Sequence, residues 1–379
     1  MFTPSTRRAR ALVLLPILSL VALSACGSDD GGSAAAAAPA TETTVPPAAT
    51  ATEPAATDPA ATDPAVTDPA ATDPAATDPA VTDPPVDLSD VTLRVGDQVN
   101  ITQTGLEVAG LADTPYTIEW SAFTSGPPML EALAADAIDI GGVGDAPPIF
   151  AAAGGAAIKA VFVTRSPQVN HGILVHGDSD ITDVAGLKGK TVAVAKGSAA
   201  HWILLKALQD NGLTVDDIEI AYLQPADAQA AFQSGNVDAW VIWDPYSALA
   251  QSQGAKLIVT GEQLGILGLG FQVSSDAALA DPAKVAAIRD FLGRLRQAQA
   301  WQRAHKDDWA AKYSELTKLP IDLAKQMLSV DSVPLLIDDE TIGAEQAEAD
   351  AFFAAGVIPA AVDFASVADD RFNDVTTAG

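Results

Sequence analysis

From residue 91 onward the apolar positions follow two alternating rhythms. Short runs dense in Val, Ile, Leu and Phe are followed by segments whose apolar residues recur every three to four positions, the period of a helix face. Strands are expected at "VTLRVGDQ" (91–98), "AIDIGGVG" (137–144), "AIKAVFVTR" (157–165) and "HGILVHG" (171–177). Helices are expected at "GPPMLEALAAD" (126–136), with proline in its first turn, and at "DAPPIFAAAGG" (145–155). A second series repeats the alternation. Its strands are "KTVAVAKG", "EIAYLQ", "NVDAWVIWD" and "AKLIVTG", and its helices "SAAHWILLKALQDNG", "PADAQAAFQSG" and "PYSALAQSQG". "LGLGFQVSS" (267–275) returns as a strand, and 282–357 read as mostly helical. Strands alternating with helices of about ten residues indicate βαβ units and parallel sheets covered on both faces. Two α/β lobes are therefore expected. Residues 91–174 and 269–379 build the first, 175–268 the second, and a hinge is placed near 172–177 and 268–275.

The first 90 residues follow neither rhythm. Arg7, Arg8 and Arg10 precede the apolar run "ALVLLPILSLVALSA" (11–25), as in an export signal. That run has 15 residues, short of the roughly 20 a spanning helix needs. It ends at Cys26, the only cysteine of the chain. "LSAC" resembles the lipobox of bacterial lipoproteins, which implies cleavage before Cys26, lipidation of its sulfur and no disulfide in the mature chain. An anchor of this kind holds a protein at the outer face of the cytoplasmic membrane by acyl chains. Residues 27–90 include a five-residue A-[A/V]-T-D-P repeat from Ala55, whose prolines block ladders and favour extended chain. It has no large apolar residues to offset ordering entropy, so a disordered acidic stalk is expected.

The chain carries a formal charge of −28, and residues 91–379 keep 18 basic and 37 acidic side chains, or −19. Such a balance argues against nucleic acid as a partner. In open α/β sheets, ligands bind where strands end and helices begin. Four junctions carry glycine or an Asp-Pro pair there: 124–129, 141–148, 196–202 and 243–246.

The residues around these junctions carry a family resemblance. "SGPPMLEALAADAIDIGGVGDAPPIFAAAGG" (125–155), "KGSAAHWILLKALQDNGL" (196–213) and "YLQPADAQAAFQSGNVDAWVIWDPY" (222–246) resemble the aliphatic-sulfonate-binding proteins of bacterial ABC importers. These belong to a wider group for taurine, nitrate and thiamine precursors. The resemblance covers about 91–365. It implies a two-lobed periplasmic-binding-protein fold of type II, with the ligand cleft between the lobes, and an ABC permease as partner. It places ligand contacts at Gln98, Ser125, Gly126, Gly144, Asp145, Ser198, His201, Trp243 and Asp244. The chain departs from the pattern at Ala199 and Ala200, which replace hydroxyl residues, at Pro128 where Gln is usual, and in the short segment 99–115.

Each of these residues also has a plainer reading. Ser198 can cap a helix without touching a ligand, an effect worth about 1 kcal/mol. Asp145 and Asp244 precede helices and read as caps before they read as acids or bases. Trp240 and Trp243 are an odd number apart on one strand and face opposite sides, so Trp243, at the strand end, is the one expected to wall the site. Trp202 is expected to pack, and 282–317 to present a solvated charged face. The four histidines, at 171, 176, 201 and 305, show no metal-ligand spacing, and no cofactor motif is present in the sequence. A monomeric binding module for a small organic anion is therefore expected. The rivals are an enzyme resembling the thiamine-pyrimidine synthases, which rely on a Cys-rich motif, and an extracellular scaffold.

Overall fold

The computed structural model describes residues 87–377. The expected export signal, the lipidation site Cys26 and nearly all of the stalk lie outside the described residues.

In chain order the elements are β1 (Thr92–Gln98), α1 (Ile101–Val108), β2 (Thr117–Phe123), α2 (Gly126–Ala134), β3 (Ile140–Gly144), α3 (Ala146–Ala153) and β4 (Ile158–Arg165). There follow β5 (Gly172–Val175), β6 (Thr191–Val194), α4 (Ala199–Asp210), β7 (Glu219–Tyr222), α5 (Pro225–Gln233), β8 (Ala239–Ile242), α6 (Tyr246–Ser252) and β9 (Lys256–Thr260). The chain ends in β10 (Leu269–Ser275), α7 (Asp276–Ala280), α8 (Pro282–Ala304), α9 (Lys306–Thr317), α10 (Ile321–Met327), β11 (Val333–Leu335), α11 (Asp339–Ala354) and α12 (Asn373–Thr377). Two sheets result, with strand orders β11-β4-β10-β3-β1-β2 and β7-β6-β8-β5-β9.

Neither sheet is all-parallel, in contrast to the expectation from the alternation of strands and helices. The pairs β1–β2, β1–β3, β6–β7 and β6–β8 are parallel, but β10 runs against β3 and β4, and β5 against β8 and β9. The cause is topological. β5 is the first strand after the chain leaves the first sheet, and β10 the first after it leaves the second. Gly172 opens β5 opposite Ile242, the last residue of β8, and Gly270 pairs with Gly144, the last residue of β3. Each returning strand thus enters its sheet at the edge where the parallel strands end, and must run the other way. The passages between sheets are residues 166–171 and 261–268. They lie earlier than the expected hinge, because 172–175 and 269–275 are already paired strand.

Each sheet is covered on both faces. One core layer joins α2, α3 and α11 to the first sheet through Met129, Ile149, Phe271 and Phe352, and another joins α1, α8 and α12 through Leu106, Phe291 and Val375. The second sheet packs α4 on one face and α5 with α6 on the other. β8 and β5 are buried along their whole length, which explains their unbroken apolar sequences. α1 forms inside the segment 99–115, which is short beside the first helix the resemblance implies. The Asp97 carboxylate, at the end of β1, accepts from the N–H groups of Thr102 and Gln103 at 3.1 and 2.9 Å and holds the first turn.

Candidate functional site

The C-terminal edges of the parallel strands lead into the helices whose first turns hold the sequence-predicted residues. Ser125 stands before α2 and Asp145 before α3 on the first sheet; Ser198 stands before α4 and Asp244 just ahead of α6 on the second. The two groups meet. The Ser125 hydroxyl donates to Gln224 Oε1 at 2.7 Å, which ties the start of α2 to the start of α5. A Cβ on Gly144 would lie 2.9 Å from the Cβ of Ala199, so glycine at the end of β3 is what lets the start of α4 come this close.

The turn into α4 is built tightly. Gly197 has φ of 72°, in the left-handed region, and a side chain there would also meet the Phe150 ring at 2.9 Å. The His201 ring folds back over the turn, and its Nδ1 accepts from the Gly197 N–H at 3.2 Å. The ring proton therefore sits on Nε2, 3.5 Å from the Tyr222 hydroxyl. Phe150, Phe352 and Tyr222 surround the ring at centroid distances of 5.7, 5.4 and 5.4 Å. Burial, and then the neighbouring Lys196 ammonium, push the His201 pKa down to about 4. At neutral pH His201 is an uncharged hydrogen-bonding group. Lys196 itself is exposed and rests over the Tyr222 ring.

Ser198 occupies the cap position but makes no cap hydrogen bond with its side chain. Its hydroxyl and its N–H both donate to Ala195 O, at 2.7 and 3.2 Å. The His201 N–H goes to Ser198 O at 2.8 Å. Among the described residues no acceptor faces the N–H groups of Ala199 and Ala200, the open donors expected at a helix start.

The other predicted residues lie around this turn to different degrees. Gly126 is pressed against Pro147, and Gln98 donates through Nε2 to Gly142 O at 2.8 Å. Asp244 accepts from Ala248 N–H at 3.0 Å, and burial, moderated by that bond and by Asn170, raises its pKa to about 6. Asp244 faces a cavity of about 230 Å³ shared with Val99, His171, Gln302 and Arg303, which no residue of the α4 turn lines. Trp243 is half-buried, edge-on to Tyr246, while Trp240 is fully enclosed. Asp145 caps α3, accepting from Ala146 N–H at 2.9 Å. Its buried neighbours are Glu345 and Glu348 of α11, whose position nothing local in the sequence fixes, and all three are held above the ordinary carboxylate range, chiefly by burial.

The arrangement suits recognition. Neither Ser125 nor Ser198 is hydrogen-bonded to a histidine or a carboxylate, the pairing that nucleophilic catalysis needs. Among the described residues no group of three or more His, Cys, Asp or Glu side chains is arranged to hold a metal ion.

Two mixed sheets, with β10 and β11 reversed in the first and β5 in the second, joined by two passages at facing edges, define a periplasmic-binding-protein fold. The sequence profile of the NMT1-like family matches residues 108–314, and the chain belongs to that family, in the group of aliphatic-sulfonate-binding proteins of ABC importers. It is 38% identical over 259 residues to a protein of Bacillus subtilis (strain 168) named as an aliphatic sulfonates-binding protein, covering 67% of this chain and 77% of that one. The alkanesulfonate-binding protein SsuA of Xanthomonas axonopodis pv. citri, bound to MOPS, superposes with a TM-score of 0.68 at 36% identity, over 73% of this chain and 98% of that one. The desulfurization enzyme DSZB shares the fold alone, at 16% identity and a TM-score of 0.55, over 75% of this chain and 98% of that one.

Proposed function

We propose that this substrate-binding protein captures a small organic sulfonate between its two sheets and passes it to the permease of an ABC importer, from a lipid anchor at Cys26 on the outer face of the cytoplasmic membrane. One observation carries the reading: the start of α4, whose Ala199 methyl packs against Gly144 of the other sheet, has free N–H groups at Ala199 and Ala200. A helix N-terminus stabilises an anion by about 0.3–1 kcal/mol, and up to about 2 when partly buried. His201 adds a neutral Nε2–H donor, and Ser125, Gly126, Gly144 and Gln98 close the other side. Trp243 supplies an apolar wall for the alkyl part. Asp145 and Asp244 take part by fixing the first turns of α3 and α6, where they accept from Ala146 and Ala248 N–H. The sulfonate identity draws on the relatives' names, and on the fit of three acceptor oxygens to backbone donors.

Titration calorimetry of the full chain with ethanesulfonate, taurine, nitrate and an aminopyrimidine thiamine precursor tests this. Saturable heat, strongest with ethanesulfonate, is expected. Preference for nitrate or the pyrimidine overturns the sulfonate assignment, and silence with all four overturns the binding role at this cleft.

A further inference from the structure

Asp145, at the head of α3, and Glu345 and Glu348, one turn apart on α11, are only 2, 2 and 3% exposed. Asp145 accepts one N–H, but Glu345 Oε2 and Glu348 Oε1 are buried with no hydrogen-bond partner. The three carboxyls line a cavity of about 140 Å³. Its remaining walls are Trp202 and Lys206 of α4, Ala344 of α11, and residues 265–269, which run from the second inter-sheet passage into β10. The cavity therefore exists only while α4 of the second sheet lies against α11 of the first, a contact fixed by Trp202 and His201 on Phe352.

Three ionised carboxylates do not share such a space without a cation, because desolvation and mutual repulsion both oppose charge. Lys206 is the one cation on the walls, and its ammonium is held by Asp210 at 2.5 Å. His201, on the same helix, is neutral. Residues 265–269 and Ala344 contribute no titratable group, and α3 contributes only Asp145. The unpartnered oxygens thus point to the smallest ligand that satisfies them.

We infer that Asp145, Glu345 and Glu348 form a proton-operated latch between the two sheets: α4 and the passage at 265–268 close over them when they carry protons, so ligand capture takes up protons from solvent. With α4 withdrawn, the carboxyls meet water and ionise at neutral pH. Closure returns them to the enclosed cavity, where burial and the neighbouring Asp145 charge put protons on Glu345 and Glu348. Raising the pH charges the cluster and drives α4 off α11. The inference rests on the sheets closing around a ligand and is independent of which anion is bound.

Proton uptake is counted by titrating the full chain with ethanesulfonate at pH 7 in two buffers of different ionisation enthalpy. The native protein is expected to take up about one to two protons per ligand, its affinity falling about tenfold per pH unit for each proton. With Glu345→Gln and Glu348→Gln together, uptake falls by at least half and the affinity flattens between pH 6 and 8. No uptake by the native protein, or unchanged uptake after the double substitution, overturns the latch. If ethanesulfonate gives no heat, the sulfonate reading alone fails, and the latch is read from ligand-free thermal unfolding. Buried groups with raised pKa values release protons on unfolding, so the native Tm falls as pH rises above about 5. The double substitution removes most of that fall, and identical slopes overturn the latch.

Discussion

Ser198 stands where a helix cap and a ligand contact both looked natural, yet its hydroxyl donates backward to Ala195 O at 2.7 Å. With its proton committed there, the hydroxyl has only lone pairs left to offer, and an anion has no use for them. Ser198 therefore shapes the turn, while the adjacent main chain offers the donors. Ser198→Ala is expected to cost about 1 kcal/mol of stability, the worth of one hydrogen bond, and to change the ethanesulfonate dissociation constant by less than about threefold. Chemical denaturation and calorimetry read the two effects. A loss of affinity beyond about tenfold would show the hydroxyl swinging round to the ligand. His201 was legible as a residue of the turn but not in its role. Its neutrality comes first from burial against Phe150 and Phe352, which lie far along the chain and leave no local signal at position 201, and then from Lys196.

At the scale of elements, the helix starts were the legible part, because glycine and proline mark them locally: "SGPP", "GDAPP", "KGSAAH" and "WDPY" all fall at strand-to-helix junctions. The reversed strands were not. β5 and β10 are as apolar as their parallel neighbours, and direction depends on the path between sheets, which hydrophobic pattern does not encode. β2 was missed because it is an edge strand with polar and half-buried positions, "TIEWSAF". α11 carries a signal of its own in the sequence. Glu345 and Glu348 fall on the same buried stripe as Ala349 and Phe352, and carboxyls on an apolar stripe mark an uncommon environment. Asp139 shows the opposite solution to burial. It is fully enclosed but accepts from Arg94 Nη2 at 2.6 Å and Lys284 Nζ at 2.7 Å, joining β1 and α8 to the start of β3. Those bonds outweigh the desolvation that would raise its pKa, and hold it below its usual value. Comparing it with Glu345 and Glu348 separates a paired structural carboxylate from a cluster that must hold protons.

For the whole molecule, two expectations concern regions that act at a distance from the cleft. The lipidation proposed at Cys26 predicts that Cys26→Ala shifts the exported chain from the membrane fraction to the soluble one; unchanged membrane association would rule out the anchor. The second concerns charge. A formal −19 over residues 91–379 repels an approaching anion, whereas the donors of the α4 turn act only at contact. The Debye length is about 30 Å at 10 mM salt and about 8 Å at 150 mM, so the repulsion spans the cleft mouth in the first condition and is screened in the second. The buried contacts of the closed state change little over this range. The association rate for ethanesulfonate, followed by stopped-flow tryptophan fluorescence, is therefore expected to rise by a factor of about three or more from 10 to 150 mM salt, with a nearly constant dissociation rate. A rate that instead falls with salt would mean that a local cation, with exposed Lys196 the nearest to the turn, steers the anion inward against the charge of the whole molecule.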